Sequence, residues 1–89
     1  MKVEYLPSFI KDLKKLKKQA DYIKIKQLAT KDIPNYNSFD QIQNLRKIKG
    51  TQSAYRIRVG DYRIGFFFQE NTIIFSRVLH RREIYRFFP

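Results

Sequence analysis

From Ala54 onward, apolar and charged residues alternate with a period of two. Tyr55, Ile57 and Val59 are interleaved with Arg56 and Arg58, and Gly60-Asp61 follows as a two-residue hairpin signal. Side chains on a strand point alternately to the two sheet faces, so a tight loop fixes which residues meet. The predicted register sets Val59 opposite Tyr62, Arg58 opposite Arg63, Ile57 opposite Ile64 and Arg56 opposite Gly65. Tyr62 to Gln69 is the next strand, Glu70-Asn71 the next turn, and Thr72 to Leu79 a third strand. One face then carries Tyr55, Ile57, Val59, Tyr62, Ile64, Phe66 and Phe68; the other carries Arg56, Arg58, Arg63 and Gly65. Phe67 and Ile74 share the arginine face by parity. Arg77 falls on the core side by the same count, which predicts a place at a sheet end.

The first half of the chain reads differently. Val3 to Leu6 is β-prone and is stopped by Pro7. Ser8 is positioned as an N-cap for a helix from Phe9 to about Lys18, with Phe9, Leu13 and Leu16 in one apolar stripe. Asp21 is placed to cap a second helix through Tyr22, Ile25, Leu28 and Ala29 up to Pro34. The short link at Gln19-Ala20 predicts an antiparallel helix pair. Asn35 to Asn44 is a polar loop, Leu45 and Ile48 are isolated anchors, and Gly50 to Ser53 is a turn. Arg81 to Phe88 is a short helix or an irregular tail. The order β-α-α-β-β-β-tail predicts an α+β fold of two layers, with two helices covering one face of an antiparallel sheet. At 89 residues, the chain is expected to form a single domain over 1–89.

Charge narrows the function. Nineteen basic residues face eight acids, giving +11, which favours a polyanionic partner, nucleic acid first. All lysines lie at or before Lys49 and all arginines at or after Arg46. Lysine suits a solvated helix face, whereas the arginine fork grips phosphate with two parallel hydrogen bonds. There is no cysteine and one histidine, His80, so thiolate chemistry is excluded and a metal or cofactor site is not expected. No apolar run is long enough to span a bilayer, and the first residues lack the apolar core of a signal peptide. A cytoplasmic location without a membrane partner is the expectation.

Arg58 opposite Arg63 is a like-charge pair, which opposes folding by about 0.2–1 kcal/mol. Neither strand carries an acid to offset it. A bound phosphodiester would remove the repulsion, and Gly65 opposite Arg56 predicts open backbone for a ligand to approach. The tail would bring His80, Arg81 and Tyr85 toward the same face, where a tyrosine can stack on a base. No carboxylate pair or glycine-rich phosphate loop accompanies them. RNA, however, carries its own nucleophile, the 2′-hydroxyl. A protein cleaves it by orienting that group, stabilising the phosphorane and protonating the leaving oxygen.

The run Tyr55-Arg56-Ile57-Arg58-Val59-Gly60-Asp61-Tyr62-Arg63-Ile64, followed by His80-Arg81-Arg82-Glu83-Ile84-Tyr85-Arg86, resembles the RelE branch of the RelE/ParE toxin superfamily. Phe9 to Leu16 and Lys47-Ile48-Lys49-Gly50 are similar to the same branch. The resemblance implies a type II toxin: a ribosome-dependent, metal-independent mRNA endoribonuclease that cuts in the A site. It implies a cognate acidic, RelB-like antitoxin, with promoter DNA bound only through the toxin–antitoxin complex. Carried over by position, Arg56 and Arg58 are implicated in RNA binding and proton transfer, Arg63 in phosphate binding, and Arg81 in stabilising the transition state or protonating the leaving group. Tyr85 is implicated in stacking and orientation. Lys49 matches a basic residue at the edge of the site, and Arg82 and Arg86 join it as expected RNA contacts. Some relatives have lysine at Arg56 and Arg58. Arginine stays protonated across the physiological range and is a poor proton acceptor; some relatives use a histidine near His80, which makes His80 the second candidate base. The alternatives are a ParE-like toxin that inhibits DNA gyrase and a non-catalytic nucleic-acid binder.

Overall fold

The computed structural model describes residues 1–89. A five-stranded sheet is ordered β1-β5-β4-β3-β2, from β1 (Lys2–Tyr5), β2 (Leu45–Lys47), β3 (Ala54–Val59), β4 (Tyr62–Gln69) and β5 (Thr72–His80). Strand β1 runs parallel to β5 and the other pairs are antiparallel. One face is covered by α1 (Pro7–Lys15) and α2 (Tyr22–Gln27), which continues through a π-helical turn (Leu28–Asp32) into α3 (Ile33–Asn35). This is the α+β, two-layer arrangement expected from the sequence.

The core lies between these layers. Phe9, Ile25, Ala29 and Ile33 from the helices meet Ile57, Ile64, Phe66, Ile73 and Phe75 from the sheet, all fully or almost fully buried. Phe9, Phe75 and Tyr5 form one aromatic cluster, with Tyr5 stacked on Phe75 at 5.3 Å. The Tyr5 hydroxyl donates to Ala29 O at 2.7 Å, which joins β1 to the π-helical turn, and burial raises its pKa. Each fully buried Phe or Ile adds roughly 1.5–3 kcal/mol.

Local boundaries depart from the sequence reading in three places. Helix α1 begins two residues earlier than expected, with Leu6 at its N-cap and Pro7 inside its first turn. Ser8 is not a cap; its hydroxyl donates to Ser76 O at 2.6 Å instead. Asp21 does precede α2, but its side chain makes no capping hydrogen bond. Leu45, expected as an isolated anchor, opens strand β2, which pairs Leu45 with Ile57, Arg46 with Arg56 and Lys47 with Tyr55. Asn44, at φ 59°, turns the loop into this strand, and its carbonyl accepts from Arg58 N at 3.1 Å.

The β3–β4 register is the one the hairpin signal predicts, from Arg56 opposite Gly65 to Val59 opposite Tyr62. Gly60 takes φ +59°, as such a turn requires. Between β4 and β5, Phe66 pairs with Phe75 but Gly65 pairs with Arg77, so Ser76 is an extra, bulged residue. The bulge reverses the parity of β5. Val78 turns into the core, and Arg77 lies mid-strand on the arginine face, not on the core side at a sheet end. Strand β1 stops at Tyr5 opposite Phe75, leaving the β5 edge bare beyond it. Helix α1 caps that edge: Asp12 Oδ2 accepts from Val78 N at 3.1 Å and from Arg77 Nε at 2.7 Å.

The second sheet face is not fully open. The chain ends in α4 (Ile84–Phe87), and Ile84 and Phe88 pack with Ala54 in a small second core beside Ile48, Phe67 and Leu79. Phe67, predicted on this face, lies 5.1 Å from the Phe88 ring. A Cβ on Gly65 would sit 2.6 Å from Phe88 Cδ2. The bare backbone expected to admit a ligand is thus occupied by the chain's own tail.

Candidate active site

Two cross-strand rows build the arginine face. Partners in a ladder share a face, so Arg46, Arg56, Gly65 and Arg77 form one row and Arg58, Arg63 and Leu79 the next. Helix α4 lies across the first row. Phe88 fills the space over Gly65, Tyr85 meets Arg56, and Phe87 lies under the Arg77 guanidinium at 5.6 Å. Arg56 Nε donates to Tyr85 Oη at 3.1 Å, while the Tyr85 ring stays 60 % exposed. A base therefore has access to a ring whose hydroxyl is already held.

Arg63 folds back onto its own hairpin, where Nη1 donates to Gly60 O at 2.9 Å and Tyr62 O at 3.0 Å. Burial lowers its pKa from the ordinary arginine value, and the neighbouring Arg56, Arg58 and Arg81 cations lower it further, with Tyr85 acting in the opposite sense. The register sets Arg63 opposite Arg58 and one row from Arg56, so the three guanidinium groups share one sheet face with Tyr85 held on Arg56. Arg81 follows β5 and is anchored by its backbone N–H on Asp61 O at 2.8 Å. Its side chain approaches Asp61 at 4.0 Å, with the two groups 56 % and 70 % exposed. Such a pair contributes about 0–1 kcal/mol and is readily exchanged for a phosphate.

The chain has two ion pairs, Arg77–Asp12 and Arg81–Asp61. Arg56, Arg58 and Arg63 therefore face one another without a carboxylate. Lys49, expected at the margin, lines a recess with Arg46, Lys47, Ile48, Arg56 and Tyr85. Arg46 was not foreseen in the site. Its strand is three residues long, too short for periodicity to reveal.

Other expected residues do not join the cluster. His80 pairs with Tyr62, which continues the Val59 row on the helix-covered face. Its ring meets Tyr62 edge-on at 5.7 Å, and its Nδ1 accepts from Arg82 N at 3.2 Å. His80 thus lies across the sheet from Arg56, because parity after the Ser76 bulge turns it away. Arg82 sits in the turn after β5. Arg86 is exposed on α4 with its guanidinium 5.7 Å from the Phe87 ring. No three His, Asp or Glu side chains come together in a way that would hold a metal ion, and no helix is long and apolar enough to cross a membrane.

Comparison with known proteins gives this geometry a family. Residues 3–85 match the model of the "ParE toxin of type II toxin-antitoxin system, parDE". The chain is 44% identical over 90 residues to Toxin RelE3 of Methanocaldococcus jannaschii, covering 100% of both. Among solved structures it is similar to the RelB-RelE antitoxin-toxin complex from Methanococcus jannaschii, with 42% identity, a TM-score of 0.77, and coverage of 97% of this chain and 99% of that one. It also resembles the archaeal RelE-RelB complex from Pyrococcus horikoshii, at 26% identity and a TM-score of 0.56, covering 90% and 93%. The Escherichia coli DinJ-YafQ complex shares the fold at 20% identity and a TM-score of 0.73, covering 93% and 96%. With nearly the whole chain matched, this protein belongs to the RelE/ParE superfamily and is a RelE-like toxin of the type II toxin–antitoxin class.

Proposed function

We propose that the protein is a ribosome-dependent mRNA endoribonuclease that uses the RNA 2′-hydroxyl as nucleophile and needs no metal ion. The observation that carries this reading is the placing of Arg56, Arg58 and Arg63 on one sheet face, without carboxylate partners, beside an exposed Tyr85 that Arg56 holds. Such a surface is held together against its own repulsion and is completed by a phosphodiester.

The roles follow from position. Tyr85, fixed through its hydroxyl by Arg56, stacks on a base and sets the scissile phosphate against the sheet. Arg58 and Arg63 bind its non-bridging oxygens and stabilise the charge that grows on the phosphorane. Arg81, exposed at the rim, serves the leaving 5′-oxygen. Arginine holds its proton too tightly to act as an ordinary base. With His80 on the opposite face, the 2′-proton passes to solvent water, and the cations stabilise the alkoxide that forms. Bond formation from O2′ to phosphorus and cleavage of the bond from phosphorus to O5′ leave a 2′,3′-cyclic phosphate on the upstream fragment and, once O5′ takes a proton from solvent beside Arg81, a 5′-hydroxyl on the downstream one.

Control is assigned to an acidic, RelB-like antitoxin that covers the cationic face, with promoter DNA engaged through that complex. Similarity to toxins solved with their antitoxins supports this partner, as does the net charge of +11. Expression of Arg81→Ala and Tyr85→Ala variants in cells tests the reading. Loss of growth arrest and of mRNA cleavage is expected from both. Undiminished arrest with intact mRNA would remove it. Arrest through DNA damage with translation initially intact would favour the gyrase-inhibiting alternative.

A further inference from the structure

We propose that Arg46, on the edge strand β2, is an additional RNA-binding residue, and that the RNA strand crosses the sheet from β4 over β3 to β2. The ligand's identity rests on the nuclease reading above; the placement of Arg46 does not.

The register sets Arg46 directly opposite Arg56, in the row that continues to Gly65 and Phe88. Arg46 lines two adjacent recesses. One holds Lys49, Arg56 and Tyr85; the other holds Asn44, Arg56 and Arg58. It therefore links the tyrosine end of the site to the arginine pair of β3. Its side chain is exposed and takes part in neither ion pair. Neighbouring strands lie about 4.8 Å apart, so cations on β4, β3 and β2 span roughly 10 Å. That is long enough to follow a backbone across more than one phosphate.

An edge strand gains from any charge that deters pairing with another sheet. Lys47 already supplies one on β2, opposite the uncharged Tyr55. Arg46 is set against another arginine, at a cost of about 0.2–1 kcal/mol. Edge protection does not call for that position, whereas a bound polyanion does. The placement is also fixed locally. Asn44 turns the chain at φ 59° and is tied to Arg58 N, so Arg46 enters the row two residues later.

The test uses the full chain and a single-stranded RNA oligonucleotide blocked by 2′-O-methylation, so that binding is read without cleavage. Affinity is measured by fluorescence anisotropy at several salt concentrations. Loss of one phosphate contact lowers the slope of log K against log salt by about 0.7 for a single strand. Arg46→Gln is expected to show that drop with an unchanged melting temperature, and Arg46→Lys to restore most of the slope. Lys24→Gln removes the same charge from the helical layer and is expected to leave the slope unchanged. A wild-type slope for Arg46→Gln, an equal drop for Lys24→Gln, or no RNA binding by the wild type each overturns the proposal. If Arg46→Gln lowers the slope but the wild type fails to cut unmodified mRNA on ribosomes, the nuclease reading falls and Arg46 stands. Cutting with an unaffected Arg46→Gln slope gives the reverse.

Discussion

Arg56 and Arg77 lie in the same row of the sheet, on either side of Gly65, yet their surroundings differ in kind. Arg77 is held by both oxygens of Asp12, at 2.7 and 3.1 Å, and this bonding raises its pKa. Asp12 is 5 % exposed and also caps Val78 N, so its carboxylate has three donors. Arg56 has a tyrosine hydroxyl, with Arg46 opposite it and Arg58 beside it, and no carboxylate. The first arrangement is a solved electrostatic problem that fastens α1 to the sheet edge. The second is left unsolved within the chain. In the proposed function, the difference separates arginines that build the fold from arginines that bind RNA.

Breaking the satisfied pair should have the largest effect. Asp12→Ala strands Arg77 and the Val78 N–H, and about 3–5 kcal/mol of stability should disappear in a denaturant titration. Next comes the unsatisfied side. Tyr85→Ala or Arg81→Ala should lower the rate of mRNA cleavage on ribosomes by roughly 10²–10³ while the melting temperature barely moves. A loss of stability matching that of Asp12→Ala would erase the distinction between the two regions.

Gly65, which stands between them, gives an intermediate effect. Gly65→Ala drives a methyl group into the Phe88 ring and should cost about 1–3 kcal/mol by overpacking. It should also reduce cleavage by lifting α4 and Tyr85 from Arg56. Combined with Phe88→Ala, the loss should be smaller than the sum of the two single changes, by about 0.5–3 kcal/mol in a double-mutant cycle. The smallest effect has the opposite sign. Arg58→Gln relieves the repulsion with Arg63 and should stabilise the fold by about 0.2–1 kcal/mol, yet weaken RNA binding. A destabilised Arg58→Gln would mean that these arginines support the fold after all.

The two regions also differ in how legible they were. The β3–β4 register followed from Gly60-Asp61 alone, because a two-residue loop leaves one way to align the flanking strands. It puts Arg56, Arg58 and Arg63 on one face from the sequence alone. The Arg77–Asp12 pair was hidden. It joins residues 65 apart in sequence, and it depends on a bulge at Ser76 that no residue type announces. The same bulge decides that His80 faces the helices. Strand β2 was hidden by brevity, and with it Arg46. The tail was legible as a possible short helix. Its seat over Gly65 was not, because a glycine opposite an arginine reads equally well as an open approach or as a socket.

In the proposed function, the unpaired guanidinium cluster and Tyr85 cleave mRNA. The most direct measurement is toeprinting of a defined mRNA on programmed ribosomes, with wild-type protein and with Arg56→Gln. The wild type should produce a new 5′ end within the A-site codon and a cyclic phosphate on the upstream fragment, and Arg56→Gln should produce little of either. An mRNA left intact by the wild type, or cut equally well by Arg56→Gln, would contradict it.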